Sequence, residues 1–127
     1  PYAEKEFALA PGRTNRVSQG QSNSAAFALW AAHEHPELFG TALVFSMGWT
    51  FPADAPATSD RARFVLAAGQ YEVGFFVQTR RAAKSLRDQG HGVTEEYPYA
   101  GHDPNAWSML MVKHLPKAFV RSQAQPN

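Results

Sequence analysis

Gly20-Gln21-Ser22-Asn23-Ser24 is the stretch of this chain where residue type and spacing together point to covalent chemistry. A serine with small residues two before and two after it, set between an apolar strand and an apolar helix, lets the chain turn sharply. The turn holds the serine in a strained conformation with its hydroxyl exposed. Gly20 meets the requirement fully. Ser24 meets it less well than the usual glycine, although Ala25 and Ala26 keep the start of the helix slim. The helix N-terminus adds a positive dipole end and free N–H groups for a developing oxyanion, and the Asn23 N–H is assigned that role. Ser24, flanked by Ser22 and Ala26, is a rival nucleophile, but Gly20 at the strand end favours Ser22. Taken alone, the pentapeptide equally describes a serine that caps a helix.

A serine nucleophile needs a base. Of the five histidines, His102 in Gly101-His102-Asp103 stands on a loop between a strand and a helix, at the carboxyl end of the strands. His33 and His35 are two apart and point to different sides of a helix, His91 lies in a turn, and His114 sits on an apolar helix stripe. The order serine, acid, histidine places the acid in Gly69-Gln70-Tyr71-Glu72, where Glu72 is the sole carboxylate. Its role would be to orient His102 and stabilise the imidazolium. A carboxylate capping the next helix is the plainer reading of Glu72. Asp54 and Asp60 are alternatives from an earlier loop, and Asp103 reads as a helix cap. Trp49, Phe51 and Tyr71, with Trp107, are candidate pocket-lining aromatics.

The elements that must hold these residues can be read from hydrophobic patterning. Tyr2 to Ala10 reads as a helix with Ala3, Phe7 and Ala10 on one side, stopped by Pro11-Gly12. Asn15 to Gln19 reads as a short strand running into Gly20. The segment from Asn23 to His33 is apolar on every side and predicts a buried helix. Thr41 to Ser46 and Arg63 to Ala68 are continuous apolar runs of strand length, as in a parallel sheet. Between them lies a long loop, Met47 to Asp60. Phe75, Phe76, Thr79, Ala82, Ala83 and Leu86 recur at helical spacing, and Gly90 is the expected stop. Val93 to Tyr97 alternates as an edge strand does. Asp103 and Pro104 are the N-cap and first residue of a last helix, with Trp107, Leu110, Met111, His114 and Leu115 as its buried stripe. Pro116 is expected to kink or end it. The sum is one α/β unit over residues 1–127, a small, mostly parallel sheet of about four strands flanked by helices.

Composition narrows the function classes. Twelve basic against eleven acidic residues among 127 give a net charge of +1, spread along the chain. That argues against nucleic acid or a membrane surface as a charge-driven partner. With no cysteine, disulfides, thiol catalysis and cysteine-bound zinc are excluded. No apolar run approaches the roughly 20 residues of a membrane span, and the first residues do not read as a signal peptide. Location stays open, and a serine nucleophile with a histidine base calls for no metal or organic cofactor.

Together these motifs resemble the α/β-hydrolase superfamily, most closely the esterase group that includes enterochelin (siderophore) esterases and esterase D-like enzymes. The matching stretches are Arg16 to Ser22, His35-Pro36-Glu37-Leu38-Phe39-Gly40 with its strand to Ser46, Ala68 to Glu72, and Gly101-His102-Asp103 with Trp107 four residues after the aspartate. The resemblance implies a serine hydrolase of carboxylic esters with Ser22, Glu72 and His102 as nucleophile, acid and base. Short-chain acyl esters are the first expectation, with a siderophore ester, a feruloyl ester or a polyester as further substrates. In that superfamily the nucleophile strand lies mid-sheet, so this chain looks like a C-terminal half, either naturally short or truncated. The second oxyanion N–H would ordinarily come from an earlier loop, and losing one such donor costs on the order of 100-fold in rate. An exposed strand edge predicts a homo-oligomer, most simply a dimer. The competing expectation is a non-catalytic or vestigial hydrolase-fold module acting as a scaffold or interaction domain.

Overall fold

A computed structural model describes residues 2–49 and 60–119. The candidates Phe51 and Asp54 lie outside the described residues. Four strands of five residues, β1 (Val17–Gln21), β2 (Thr41–Phe45), β3 (Arg63–Ala67) and β4 (Gly92–Glu96), form an all-parallel sheet in the order β1-β2-β3-β4. The register aligns Val17, Thr41, Arg63 and Gly92 at one end and Gln21, Phe45, Ala67 and Glu96 at the other. All four carboxyl ends therefore open on the same edge of the sheet, and the segments leaving the strands meet there.

The helices are α1 (Tyr2–Glu6), α2 (Asn23–Glu34), α3 (Val73–Asp88) and α4 (Pro104–Ala118), with a 3-10 turn at Arg13–Asn15. The central strand β2 explains the three layers. Ala42 and Val44 face a core shared with Ala25, Leu29 and Ala32 of α2 and Ala82, Ala83 and Leu86 of α3. Leu43 and Phe45 face the opposite way, against Leu110 and Ala118 of α4. A strand buried on both faces must be apolar at every position, which is why Thr41 to Phe45 reads as an unbroken run. No helix among the described residues is long and apolar enough to cross a membrane.

Several expected elements differ in extent. β1 starts and ends two residues later than Asn15 to Gln19, so Gly20 lies inside the strand and Ser22 follows it directly. α1 stops at Glu6 and buries no residue. Phe7 is exposed and Ala8 takes a left-handed φ of 50°, so no buried apolar face prolongs the helix. α2 is not buried all round: Ala25, Ala28, Leu29, Ala31 and Ala32 are covered, while Phe27 and Trp30 remain exposed and touch each other. Pro116 does not end α4, which runs on to Ala118. The Ala118 carbonyl accepts from Arg63 (2.7 Å) and Thr41 (3.3 Å), which anchors the last turn to the sheet. The stop of α3 is as the glycine predicts. Gly90 sits at φ 84°, its N–H donates to Arg87 O, and the His91 N–H donates to Leu86 O.

Candidate active site

The turn out of β1 is tight because Gly20 lacks a side chain. A Cβ there would stand 2.2 Å from the Ser24 carbonyl oxygen and 2.9 Å from the Ala25 nitrogen, so the first turn of α2 lies directly on the strand. Ser22 joins the two with φ 54° and ψ −124°, a strained conformation for any residue with a Cβ. It occupies the N-cap position, yet its side chain makes no capping bond. Instead its hydroxyl donates to His102 Nε2 at 2.8 Å. Ser24, the rival nucleophile, is tied down: its hydroxyl donates to Gln21 O (2.9 Å) and accepts from Gln21 N–H (3.1 Å). Asn23 is the first residue of α2, so its N–H has no acceptor within the helix.

His102 comes from the loop after β4, and Glu72 from the loop after β3. A Cβ on Gly69 would stand 2.2 Å from the Ala100 carbonyl oxygen, so these loops pack backbone to backbone. Gln70 N–H donates to Pro98 O and Tyr71 N–H to Ala100 O, both at 3.0 Å, which fixes one loop against the other. His102 Nδ1–H donates to Glu72 Oε2 at 2.5 Å. The carboxylate at Nδ1 keeps the proton there and leaves Nε2 free to accept from Ser22. Glu72 heads α3 without capping it. Its buried side chain, 3% exposed, accepts at Oε1 from Gly69 N–H and from the Ser46 hydroxyl, each at 2.5 Å.

Rings hold the imidazole on two sides. Phe75 lies over His102 with centroids 4.3 Å apart and planes 31° apart, and Trp107 meets it edge-on at 4.8 Å and 88°. Neither ring contact with His102 was anticipated from sequence, where Phe75 reads as helix-face packing and Trp107 as both a helix-stripe residue and a candidate pocket wall. Ser46 was also missed as part of the site. It ends the apolar run of β2 level with Ser22, and a hydroxyl closing an otherwise wholly apolar strand is the signal that could have marked it.

Trp49 and Tyr71 are exposed, and Tyr71 faces Tyr99 with centroids 6.4 Å apart. Asp60 precedes β3 and so belongs to the opposite edge of the sheet. Asp103 caps α4 by accepting from Asn105 N–H at 2.9 Å. His33, His91 and His114 are buried away from Ser22. His114 donates to Glu96, whose carboxyl burial alone would push up but which Lys113 and His114 hold below the usual range. A groove of about 310 Å³ between β1 and α4 is lined by Gln19, Gln21, Pro104, Trp107, Ser108 and Met111.

Over residues 1–118 the chain matches the family described as "Putative esterase". It is similar in structure to enterochelin esterase from Shigella flexneri, with 20% identity and a TM-score of 0.79 over 94% of this chain and 34% of that one. It is also similar to a ferulic acid esterase, with 17% identity and a TM-score of 0.77 over 94% of this chain and 56% of that one. SOBER1 from Arabidopsis thaliana gives 17% identity and 0.74 over 94% and 60%. At such identities the likeness is one of fold, and the chain spans from about a third to three fifths of these proteins' length. A search of curated protein sequences finds no match.

Proposed function

This chain belongs to the Esterase family, and on that premise we propose that it hydrolyses carboxylic esters with Ser22 as nucleophile, His102 as general base and Glu72 as the acid that orients the base. The observation that carries the reading is the unbroken chain of hydrogen bonds from Ser22 Oγ through both nitrogens of His102 to Glu72 Oε2. Ser22 Oγ attacks the acyl carbon while His102 Nε2 takes its proton. The tetrahedral oxyanion accepts from the Asn23 N–H at the positive end of α2. Collapse expels the alcohol, which leaves with the proton from Nε2. Water then attacks the acyl carbon, giving its proton to Nε2, and the acid departs as Ser22 is restored.

Strain supports this assignment over a helix-capping role. A serine at φ 54° whose hydroxyl ignores the helix it heads gains nothing as a cap. The groove between β1 and α4, which shares Trp107 with the His102 contact, has the size for a small acyl or alcohol group. Short-chain acyl esters are the proposed substrates. The test is hydrolysis of p-nitrophenyl acetate, butyrate and octanoate by the parent and by Ser22→Ala and His102→Ala. Turnover highest on the shorter chains and reduced about 1000-fold or more in both variants is expected. Turnover absent from folded parent protein, or unchanged in Ser22→Ala, would favour the non-catalytic module instead.

A further inference from the structure

Ser46 is wholly buried, stands at a left-handed φ of 53°, and takes no direct part in the ester chemistry. Its backbone is held firmly, with its N–H donating to Ala67 O at 2.7 Å and the next N–H, of Met47, donating to Thr79 Oγ1 at 3.2 Å. Its hydroxyl has two partners. Trp107 Nε1 approaches at 2.8 Å and Glu72 Oε1 at 2.5 Å. An indole nitrogen can only donate, so Ser46 Oγ must accept from Trp107. The single hydroxyl proton is then left for Glu72. The indole N–H thus sets the direction of both hydrogen bonds at the Ser46 hydroxyl.

The carboxylate is affected in two ways. Oε1 receives two donors, Ser46 and Gly69, which take the place of water around a side chain only 3% exposed. Both donors also pin Oε1, which leaves Oε2 turned to His102. Trp107 touches the system twice, since its ring edge also bears on the His102 imidazole. Among the described residues, Glu72 and His102 hydrogen-bond or ion-pair with each other, Ser22, Ser46 and Gly69, and with no lysine, arginine or second carboxylate. The neighbouring Asp103 is engaged in capping α4, and Tyr71 is exposed. Among the described residues, Ser46 is thus the one side chain that donates to Glu72 Oε1, beside the Gly69 backbone N–H.

We propose that Trp107 and Ser46 are positioning residues, a relay in which the indole N–H fixes the Ser46 hydroxyl as a donor to Glu72 and so sets the pH below which His102 ceases to act as base. The proposal rests on reading the site as that of a serine hydrolase. Its sign is fixed by linkage. Removing a donor to the carboxylate destabilises the ionised form, so the Glu72–His102 pair takes up a proton at higher pH, whichever of the two carries it.

The experiment is the rate at which a fluorophosphonate probe labels Ser22, measured across pH in the parent, Ser46→Ala, Ser46→Gly, Trp107→Phe and the double variant Ser46→Ala/Trp107→Phe. Ser46→Gly relieves the left-handed backbone while deleting the hydroxyl, and Trp107→Phe keeps a ring against His102 while deleting the N–H, so folding is retained in at least one of them. The acid limb should move up by about one pH unit in both Ser46 variants and by less in Trp107→Phe. The double variant should move no further than Ser46→Ala, because Trp107 acts through Ser46. Lower labelling or melting temperature with an unmoved limb in the folded variants would reduce both residues to packing and overturn the proposal. Additive shifts in the double variant would overturn the relay. A parent that takes no label defeats the hydrolase reading itself, and is distinguishable from both.

Discussion

Adding one methyl group at Gly20 tests whether the tight strand-to-helix turn is what presents Ser22. In Gly20→Ala the new Cβ would lie 2.2 Å from the Ser24 carbonyl oxygen and 2.5 Å from its carbon. Both are backbone atoms, so no side chain can rotate away. Ordinary contact begins near 3.4 Å, and the first turn of α2 must therefore retreat from β1 by about 1.2 Å. That retreat is opposed by the Ser18 hydroxyl bond to Ala28 O at 2.8 Å and by the fully buried Ala25 and Leu29 beneath the helix. Overpacking of this kind costs about 1–3 kcal/mol. Displacing the Ser22 hydroxyl by about 1 Å from His102 removes on the order of 100-fold in reactivity. Gly74→Ala is the matched control: nothing lies within 4 Å of a Cβ there, and the position is in the first turn of α3. It should be stabilising by about 0.5–1 kcal/mol with reactivity unchanged. Urea unfolding followed by circular dichroism, together with probe labelling of Ser22, reads both effects. A Gly20→Ala protein with the parent's urea midpoint and labelling rate would refute the reasoning, because the contact would then not govern the turn.

The strain at Ser22 makes a second, opposite prediction. Ser22→Gly should be inactive yet about 1 kcal/mol more stable than Ser22→Ala in urea, since glycine alone adopts φ 54° freely; equal stabilities would show the turn to be unstrained. Acid should weaken the fold through His91, whose imidazole burial pushes below its ordinary 6.5, with His33 and Arg61 nearby also opposing a charge. Its folded value is the lower one, so its contribution is complete above 6.5 and lost as pH falls through the folded value, by at most about 1.4 kcal/mol per pH unit. Glu96 adds a similar loss only below its ordinary 4.5. Thermal melts of the parent and His91→Phe between about pH 7 and 5 should converge toward acid, and parallel curves would exonerate His91. We further expect self-association, because β1 is an edge of this sheet and Phe27 and Trp30 are exposed beside it. Sedimentation should show a dimer in the parent that Trp30→Lys weakens, and a parent monomeric at every concentration would remove the expectation.

Sequence patterning located the elements of this fold well wherever burial dictates residue type. β2 and β3 are apolar because helices cover both faces, and each ends where the chain must turn. Gly20, Gly69 and Gly90 marked real backbone constraints, two of them close approaches that position Ser22 and Glu72. The placement of Ser22, His102 and Glu72 at one edge was legible for the same reason: in a parallel sheet, the segments leaving the strand ends converge. What stayed hidden depended on partners distant in sequence. Ser46 looks like the tail of an apolar strand until Glu72 and Trp107, 26 and 61 residues away, are seen to share its hydroxyl. Phe75 and Trp107 fit helix stripes, and no spacing rule tells a ring on the core from a ring on an imidazole. The extent of α1 was overestimated because no residue of it is buried, and α4 runs two residues past Pro116 because its last turn is anchored to the sheet.

The claim on which the whole account depends is that Ser22 is an activated nucleophile. Its most direct test is intact-mass analysis of the folded protein after treatment with a fluorophosphonate probe, followed by peptide mapping, with Ser22→Ala and His102→Ala alongside. One adduct per chain is expected, on Ser22, absent from the first variant and formed far more slowly in the second. No adduct on folded protein, or an adduct on Ser24 or another hydroxyl that survives Ser22→Ala, would contradict it.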